Sequence, residues 1–361
     1  MAKGLYIHIP FCGSKCPYCD FYSIRPTDEL IEKYTLSVCK ALKNAPYEFD
    51  TVYFGGGTPS RLGADNICRI LEEARVETKA EITVECNPSD CCEENSFDFS
   101  ALSKSGVNRI SLGLQSGIDT ERKALGRRAG VKEAEAAINR AQKAGIDNIT
   151  LDLMLGVPGQ TADTLKESVN FCVSSGAKHI SAYILKIEEG TYFYKNRDKL
   201  NLPDEDACAD LYLECCELIE QSGMRQYEIS NFAYPGFESR HNLKYWHCEE
   251  YLGIGPAAHS FIDGKRFYYP RDIDSFMNGC APVNDGDGGD FEEYAMLALR
   301  LTEGLSDKKT RERYGFGIPK KIFDRAEKLT DIGLLNIDSD RIYLTKKGFL
   351  VSNSVITELL T

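Results

Sequence analysis

The chain has 361 residues, of which 42% are hydrophobic and 27% are charged, an ordinary balance for a globular protein. Its formal net charge of −12 argues against general nucleic-acid binding, because that function needs a basic face that displaces counterions. The sequence has no apolar run of about 18 residues or more, so no membrane-spanning helix is predicted.

Six short runs predict strands in the first half of the chain, and their Ile, Val, Leu and Tyr content is typical of strands buried on both faces. In chain order they are "LYIHI" (5–9), "TVYF" (51–54), "EITVE" (81–85), "NRISLGL" (108–114), "NITLDLM" (148–154) and "HISAYIL" (179–185). Helix patterns separate them, with "TDELIEKYTLSVCKALKNA" (27–45) and "GVKEAEAAINRAQKAG" (130–145) as examples. This alternation indicates an α/β fold with a parallel sheet and right-handed crossovers.

Polar and glycine residues follow several of these runs directly. "GGGTP" comes after the second run, and "ECNP" lies at the end of the third. The carboxyl ends of parallel strands share one edge of the sheet, where ligand sites gather. We therefore expect the chemistry of this protein at that edge.

The pattern changes near residue 226. Residues 226–285 are rich in aromatic residues and glycine, and "APVNDGDGGDF" (281–291) is predicted to be a linker. A helix at 292–304, another helix, a β-hairpin turning at "DSD" (338–340) and a final helix indicate a small winged-helix-like tail. We predict three parts, 1–225, 226–285 and 286–361. The tail lacks the Lys and Arg excess of a DNA-reading helix, so no nucleic-acid partner is expected.

Three of the 14 cysteines lie close together in "FCGSKCPYCDF" (11–21), whereas most of the others fall in helix patterns typical of buried thiols. Cys12, Cys16 and Cys19 form a C-x3-C-x2-C motif. Zinc would need a further ligand, for which His8 is a candidate. Soft thiolates on a short loop also suit three irons of a 4Fe–4S cluster, which leaves the fourth iron open to a small molecule.

This motif, with Tyr18 before its last cysteine, resembles the signature of radical S-adenosylmethionine (SAM) proteins. The segments "YIHIPFC", "CPYCDF", "FGGGTPS", "ECNP", "RISLGLQS", "LGRR", "LDLMLGVPGQT" and "RHNLKYW" follow the order found in the oxygen-independent coproporphyrinogen III oxidase-like group. Within that group the chain is most similar to the haem-chaperone branch. The resemblance covers essentially the whole chain. It implies a partial (β/α)6 radical SAM barrel, followed by a mixed segment and the winged-helix-like tail.

In that family the three cysteines bind a 4Fe–4S cluster, and the amino and carboxylate groups of SAM chelate the open iron. The resemblance implies that Tyr6 and Tyr18, which flank the cysteine loop, contact SAM. The "GGGT" turn permits close backbone approach, so its N–H groups are expected to meet the ligand. Glu85, at a strand end, is expected to accept hydrogen bonds from the amine or the ribose. The other implied SAM positions are Gly56, Gly57, Thr58, Gln115, Arg127 and Asp152.

The residues after the third cysteine separate this chain from the oxidases that it resembles. Those enzymes carry one more cysteine, giving C-x2-C-x-C, whereas Asp20 and Phe21 follow Cys19 here. This difference counts against oxidative decarboxylation of coproporphyrinogen III.

The segment "HNLKYW" (241–246) matches an H-N-x-x-Y-W motif associated with haem binding in the haem-chaperone branch. A neutral imidazole is a common axial ligand of haem iron, and aromatic rings can stack on the macrocycle. The haem contacts that the resemblance implies are His241, Asn242, Tyr245 and Trp246. The residues alone leave open that this segment only hydrogen-bonds a loop and packs the core. His247 and His259 are rival ligands.

We therefore expect a haem-trafficking protein that delivers haem to apoproteins such as respiratory haem enzymes, with a homodimer implied by the resemblance. The alternative is a radical SAM enzyme that abstracts hydrogen from a porphyrin-like substrate. A zinc-dependent or winged-helix regulator is a third reading, which would bind zinc and DNA. The start "MAKGLYIHIPFC" lacks the apolar stretch of a signal peptide, so a cytoplasmic location with at most peripheral membrane association is expected.

Overall fold

The computed structural model describes residues 2–93 and 96–361 as an α/β fold. The strands are β1 (Lys3–Ile9), β2 (Phe49–Gly56), β3 (Val76–Cys86), β4 (Arg109–Gln115), β5 (Asn148–Leu155), β6 (His179–Ile184), β7 (Arg225–Gln226), β8 (Asn231–Ala233), β9 (Tyr251–Ile254), β10 (His259–Ile262), β11 (Lys265–Tyr268), β12 (Val283–Asp287), β13 (Leu305–Ser306), β14 (Leu335–Ile337) and β15 (Arg341–Leu344).

The helices are α1 (Asp28–Lys43), α2 (Ala64–Glu73), α3 (Pro88–Cys91), α4 (Phe99–Lys104), α5 (Asp119–Ala124), α6 (Val131–Lys143), α7 (Ala162–Ser174), α8 (Tyr192–Lys195), α9 (Glu205–Gln221), α10 (Arg240–Trp246), α11 (Ile273–Met277), α12 (Phe291–Ala298), α13 (Asp307–Tyr314), α14 (Lys320–Asp331), α15 (Lys346–Leu350) and α16 (Ser352–Leu360). Short 3-10 turns cover Pro59–Leu62 and Arg197–Lys199.

One open sheet organises the molecule, with its 12 strands in the order β12-β11-β10-β9-β1-β2-β3-β4-β5-β6-β8-β7. Strands β1 to β6 are parallel neighbours in chain order, as repeated strand–helix units with right-handed crossovers require. The six predicted strands are confirmed, and the helices predicted at 27–45 and 130–145 are α1 and α6. All six strands therefore end at the same edge.

The two faces of this sheet differ in character. Leu5, Ile7 and Ile9 of β1 and the apolar residues of β4, such as Ile110 and Leu112, are fully buried in the core. Alternate residues point to the other face, since side chains in a strand alternate with a period of two. That inner face is also largely buried, but much of it is polar. The strands are thus covered on both sides as predicted, with a polar inner lining.

The segment after residue 226 extends the sheet beyond β1. Strand β9 pairs in parallel with β1, and β10, β11 and β12 follow in antiparallel order. The predicted linker at 281–291 is wrong, because β12 pairs with β11 at Phe267↔Asn284 and Tyr268↔Val283. Its charged and glycine-rich sequence suits an exposed edge strand, where such residues discourage further pairing.

The tail forms a separate three-stranded sheet in the order β13-β15-β14, with α13 and α14 preceding the hairpin. The hairpin turns at 338–340 as predicted, and two helices, α15 and α16, follow it instead of one. Helices followed by a β-hairpin give the winged-helix-like arrangement. The domain boundaries at 225/226 and 285/286 stay predictions. The main sheet contains strands from both sides of the 225/226 boundary.

All 14 cysteines are free thiols. Within the residues that the structure describes, no helix is long and apolar enough to cross a membrane.

Candidate functional site

The three clustered cysteines lie on the loop between β1 and α1. Backbone hydrogen bonds close the base of this loop, since the Cys12 N–H donates to the Ile24 carbonyl (3.0 Å) and the Ile24 N–H donates to the Pro10 carbonyl (2.7 Å). Within the loop, the Cys19 N–H donates to the Cys16 carbonyl at 3.1 Å. All three thiols are half-buried and line one cavity at the carboxyl edge of the sheet.

The thiols fit an iron–sulfur cluster better than a single metal ion. Burial raises the pKa of Cys19, and the nearby thiols of Cys16 and Cys12 raise it further, so the three sulfurs lie close enough to interact. In residues 2–93 and 96–361, no three His, Cys, Asp or Glu side chains converge as ligands of one ion would. A 4Fe–4S cluster takes one thiolate per iron, so its ligands stand further apart than those of zinc.

The cavity over this loop has a volume of about 730 Å³, within the range of roughly 300–1,000 Å³ typical of ligand pockets. Nearly all of the predicted SAM contacts line it. These are Tyr18, Gly56, Gly57, Thr58, Glu85, Gln115, Arg127 and Asp152. The parallel strands thus gather residues from distant parts of the sequence around the three thiols.

The inner face of β4 adds residues that the motifs did not predict. Arg109, Ser111 and Gly113 are these residues, and they alternate along the strand with the predicted Gln115 so that all four line the cavity. The alternation of polar and apolar residues in "RISLGLQ" was the available signal. Arg109 is 1% exposed and donates from Nη2 to the Thr150 hydroxyl at 2.7 Å, but its Nε has no acceptor among the described residues. A buried, incompletely paired guanidinium beside a cavity suits a ligand that accepts hydrogen bonds.

Gln115 ends β4 in an unusual backbone conformation. Its φ of 72° lies in the left-handed region, which costs a side-chain-bearing residue roughly 1 kcal/mol or more. Its Oε1 atom accepts a hydrogen bond from the Tyr183 hydroxyl at 2.8 Å. Strain of this kind is concentrated at ligand sites, which supports a functional role for this position.

Two carboxyl groups on the inner face have raised pKa values. Burial raises the pKa of Glu85 to about 7, although the Tyr53 hydroxyl donates to its Oε1 at 2.8 Å and opposes the rise. Burial likewise raises the pKa of Asp152 to about 6 against hydrogen bonds from Ser111, at 3.2 Å, and Ser181. A cationic or donor-rich ligand would stabilise the ionised form of both groups.

The glycine turn after β2 does not offer the N–H groups expected of it. The Gly57 N–H donates to the Ile9 carbonyl and the Thr58 N–H donates to the Phe11 carbonyl, each at 2.8 Å. For these two residues the prediction is wrong, because the turn prolongs the pairing of β2 with the chain after β1. The glycine is needed for space, since a Cβ atom at position 57 would lie 2.8 Å from both carbonyl oxygens.

Contacts with the opposite wall fix the position of the cysteine loop. Arg127 donates from Nε to the Tyr18 hydroxyl at 3.2 Å, and the Cys16 thiol interacts electrostatically with both. The Phe193 N–H donates to the Pro17 carbonyl at 3.0 Å. The thiols are therefore presented by a loop that is anchored on both sides of the cavity.

A second cavity, of about 620 Å³, adjoins the first. Three residues line both: Phe21, Gly56 and Glu85. Tyr6, alone among the predicted SAM contacts, lines only this second cavity. Its hydroxyl is 3.1 Å from His8 Nδ1, and His8 Nε2 is 3.3 Å from the Tyr22 carbonyl. With both ring nitrogens engaged and its pKa lowered by burial to about 4, His8 is not placed as a fourth zinc ligand.

The HNLKYW segment forms α10, and its histidine is completely buried. His241 Nδ1 lies 2.9 Å from the Thr51 hydroxyl, and Nε2 lies 2.7 Å from the Tyr245 hydroxyl. The imidazole stacks on Tyr53 with 5.2 Å between ring centroids. Burial and then nearby cationic side chains lower its pKa to about 3. Both ring nitrogens of His241 thus have partners within the protein. This arrangement is the one expected if the segment serves hydrogen bonding and core packing.

The other residues of this motif lie in different places. Asn242 lines the first cavity and Tyr245 lines the second. Trp246 lies outside both, with the Arg300 guanidinium 6.0 Å from its ring centroid. The rival ligand His259 is exposed and lines the second cavity. The structure therefore does not gather the four predicted haem contacts around one space.

Sequence comparisons identify two matched regions and close full-length relatives. The Radical SAM superfamily profile matches residues 6–172, and the HemN C-terminal domain profile matches residues 290–351. The Heme chaperone HemW of Lactococcus lactis is 34% identical over 371 residues, covering 99% of this chain and 97% of that protein. The Heme chaperone HemW of Bacillus subtilis is 35% identical over 382 residues, covering 99% of each.

A solved structure shares the fold. The coproporphyrinogen III oxidase HemN from Escherichia coli, described as a radical SAM enzyme, matches with a TM-score of 0.82 at 20% identity. The match covers 100% of this chain and 90% of that one. The predicted radical SAM type of partial barrel is therefore confirmed.

Proposed function

Because the chain belongs to the HemW family of the radical SAM superfamily, we propose that it binds haem and transfers it to acceptor proteins. The observation that carries this proposal is the end-to-end similarity to heme chaperones, which spans 99% of this chain in both relatives. The coproporphyrinogen oxidase fold is shared, but at 20% identity the likeness speaks for the fold alone. The residues after Cys19 also favour the chaperone function, because Asp20 and Phe21 stand where the oxidases carry one more cysteine.

Cys12, Cys16 and Cys19 would hold a 4Fe–4S cluster. When bound, this cluster supplies an open iron for SAM and the capacity for electron transfer. The three anchored thiols that face one cavity support the assignment. SAM would occupy that cavity, and the contacts proposed for it there are Tyr18, Gly56, Glu85, Gln115, Arg127 and Asp152. Gly57 and Thr58 line the same cavity, but their N–H groups donate to backbone carbonyls.

SAM affinity is expected to fall as the pH is lowered. The pKa of Glu85 is about 7 and that of Asp152 is about 6, so both are protonated progressively between about pH 8 and about pH 5. A protonated carboxyl attracts the cationic ligand less, and Glu85 alone should weaken binding roughly tenfold from about pH 8 to about pH 6. Calorimetric titration of the cluster-loaded protein with SAM across this range measures the effect.

The matched variant for this experiment is Glu85→Gln. It should bind SAM more weakly than the parent at about pH 8 and should have a flatter pH profile. Asp152, with its lower pKa, would account for the remaining slope. An unchanged pH profile in Glu85→Gln would show that this carboxyl does not contact the ligand.

Anaerobic reconstitution followed by two assays tests the proposed function. The first titrates haem into the protein, follows the Soret band, and then adds a haem-free acceptor protein to measure transfer. The second supplies coproporphyrinogen III, SAM and a reductant, and measures protoporphyrinogen. We expect stoichiometric haem binding, transfer to the acceptor and no turnover. Turnover without haem binding would replace the chaperone function with the enzymatic alternative.

We place the protein in the cytoplasm, because 14 free cysteines suit a reducing compartment. Respiratory haem enzymes as acceptors and a homodimer are parts of the proposal that rest on family resemblance. Sedimentation of the protein with and without the reconstituted cluster tests the dimer. If cluster loading promotes dimerisation, the protein should sediment as a dimer with the cluster and as a monomer without it.

A further inference from the structure

We infer that haem binds in the second cavity, beside the cysteine cavity, with His259 as its axial ligand. The inference rests on the proposed haem function and assigns a place for haem within the chain. It differs from the motif-based expectation, in which His241 is the ligand. Four features of the second cavity carry it: a free imidazole, aromatic walls, two guanidinium groups and a shared border with the cysteine cavity.

The first feature is the environment of His259. It lies on β10 directly opposite Tyr268 of β11, and the two rings stack with 5.2 Å between centroids and 26° between planes. His259 is exposed, and no hydrogen bond joins either of its ring nitrogens to a residue in the described part of the chain. The stack fixes the plane of the imidazole without occupying its nitrogens. His8, the other histidine of this cavity, has both nitrogens engaged.

The second feature is the aromatic wall. Tyr245 and Tyr251 meet edge to face with 4.5 Å between centroids, and Tyr268 and Tyr269 line the same space. Flat rings of this kind pack well against a porphyrin, which is itself flat and largely apolar. The hydrogen bond between His241 and Tyr245 holds one of these rings in place. The HNLKYW segment thereby contributes to this cavity through its tyrosine.

The third feature is a pair of arginines that line the cavity, of which Arg271 is suited to bind a propionate of haem. Arg271 is largely exposed, with its Nη2 atom 3.7 Å from Asp20 Oδ2, and its charge acts on His8 inside the cavity. Arg266 pairs with Glu293, and its Nε has no acceptor among the described residues. Guanidinium groups bind carboxylates with two parallel hydrogen bonds. The loosely paired Arg271 is the one free to turn toward a propionate.

The fourth feature is the border with the cysteine cavity. Phe21, 62% exposed, lines both cavities and stands two positions after Cys19. Gly56 and Glu85 are the other shared residues. Haem in the second cavity would therefore lie next to the cluster and SAM without displacing either. This position gives cluster loading a direct route to affect haem binding or release.

Titration of the full chain with haem tests the site, using the parent, His259→Ala, Arg271→Ala and His247→Ala. We expect His259→Ala to weaken haem binding roughly tenfold or more, to shift the Soret band, and to recover the parent spectrum when imidazole is added. Metal-free protoporphyrin, which needs no axial ligand, should bind His259→Ala as it binds the parent. Arg271→Ala should weaken both porphyrins roughly threefold. His247→Ala, a histidine outside the cavity paired with Glu303, should match the parent.

The outcomes separate this site from the general function. If the parent binds haem and His259→Ala has the same affinity and spectrum, the site is wrong and the haem function stands. If the parent binds no haem, the proposed function itself fails. Because His259 is exposed, its replacement should leave the circular dichroism spectrum unchanged, so a loss of haem binding would not reflect unfolding.

Discussion

Replacement of Cys16 with serine is expected to remove nearly all cluster iron from the protein. A serine hydroxyl remains protonated at neutral pH and does not replace a soft thiolate as an iron ligand. The other two cysteines would then hold only two corners of the cluster, which would be open to solvent and lost on handling. Iron and sulfide analysis after anaerobic reconstitution, together with electron paramagnetic resonance of the reduced protein, measures the loss.

Cys280→Ser is the matched control for this experiment. Cys280 is also a half-buried free thiol, but it lies after α11 and lines neither cavity. It should retain the iron content and the resonance signal of the parent. If Cys16→Ser keeps as much iron as Cys280→Ser does, the three-cysteine assignment is wrong.

The parallel part of the fold could be predicted because its signals are local. Each of the six strands is a short run of residues with high strand propensity, and α1 and α6 have clear apolar periodicity. The handedness of crossovers then orders neighbouring strands with few alternatives. The cysteine spacing is similarly local, so its loop and the cavity edge followed from the sequence.

The rest depends on contacts between distant residues. Nothing in "APVNDGDGGDF" reveals that part of it pairs with β11, because polar edge strands and linkers have similar compositions. The N–H groups of Gly57 and Thr58 donate to the carbonyls of the last residue of β1 and of Phe11 just after it, contacts that the turn sequence alone does not encode. Tyr6 lines the second cavity because β9 and its neighbours build a wall beside β1.

The HNLKYW segment shows that a motif does not by itself reveal which of its atoms are available to a ligand. Its histidine is surrounded by Thr51, Tyr53 and Tyr245, all on elements that the sequence does not link to it. Sequence spacing cannot distinguish His241, which is buried with two hydrogen-bond partners, from His259, which is exposed. The distinction requires the positions of β2 and β10 relative to α10.

His241→Ala is expected to lower the free energy of unfolding by about 3–5 kcal/mol. The side chain is fully buried, and its loss leaves the Thr51 and Tyr245 hydroxyls without their partner. Each unpaired buried hydroxyl costs roughly 1–3 kcal/mol, and the space left beside Tyr53 adds to this. Urea unfolding of the cluster-free chain, followed by circular dichroism, measures the change. His247 directly follows α10 and is partly exposed beside Glu303, so His247→Ala should cost less than about 1 kcal/mol.

The difference in unfolding free energy between the parent and His241→Ala should depend on pH. This dependence distinguishes a buried, neutral His241 from a His241 that is available as a metal ligand. The pKa of His241 is about 3 in the folded chain, whereas an unfolded histidine titrates near about 6.5. The unfolded state therefore binds more protons in between, and the stability that His241 provides is complete above about pH 6.5 and declines as the pH falls. The gap between the parent and His241→Ala should narrow by roughly 1 kcal/mol per pH unit from about pH 6.5 toward about pH 4. A gap that stays constant over this range would contradict the buried, doubly hydrogen-bonded state, and would return His241 to consideration as the haem ligand.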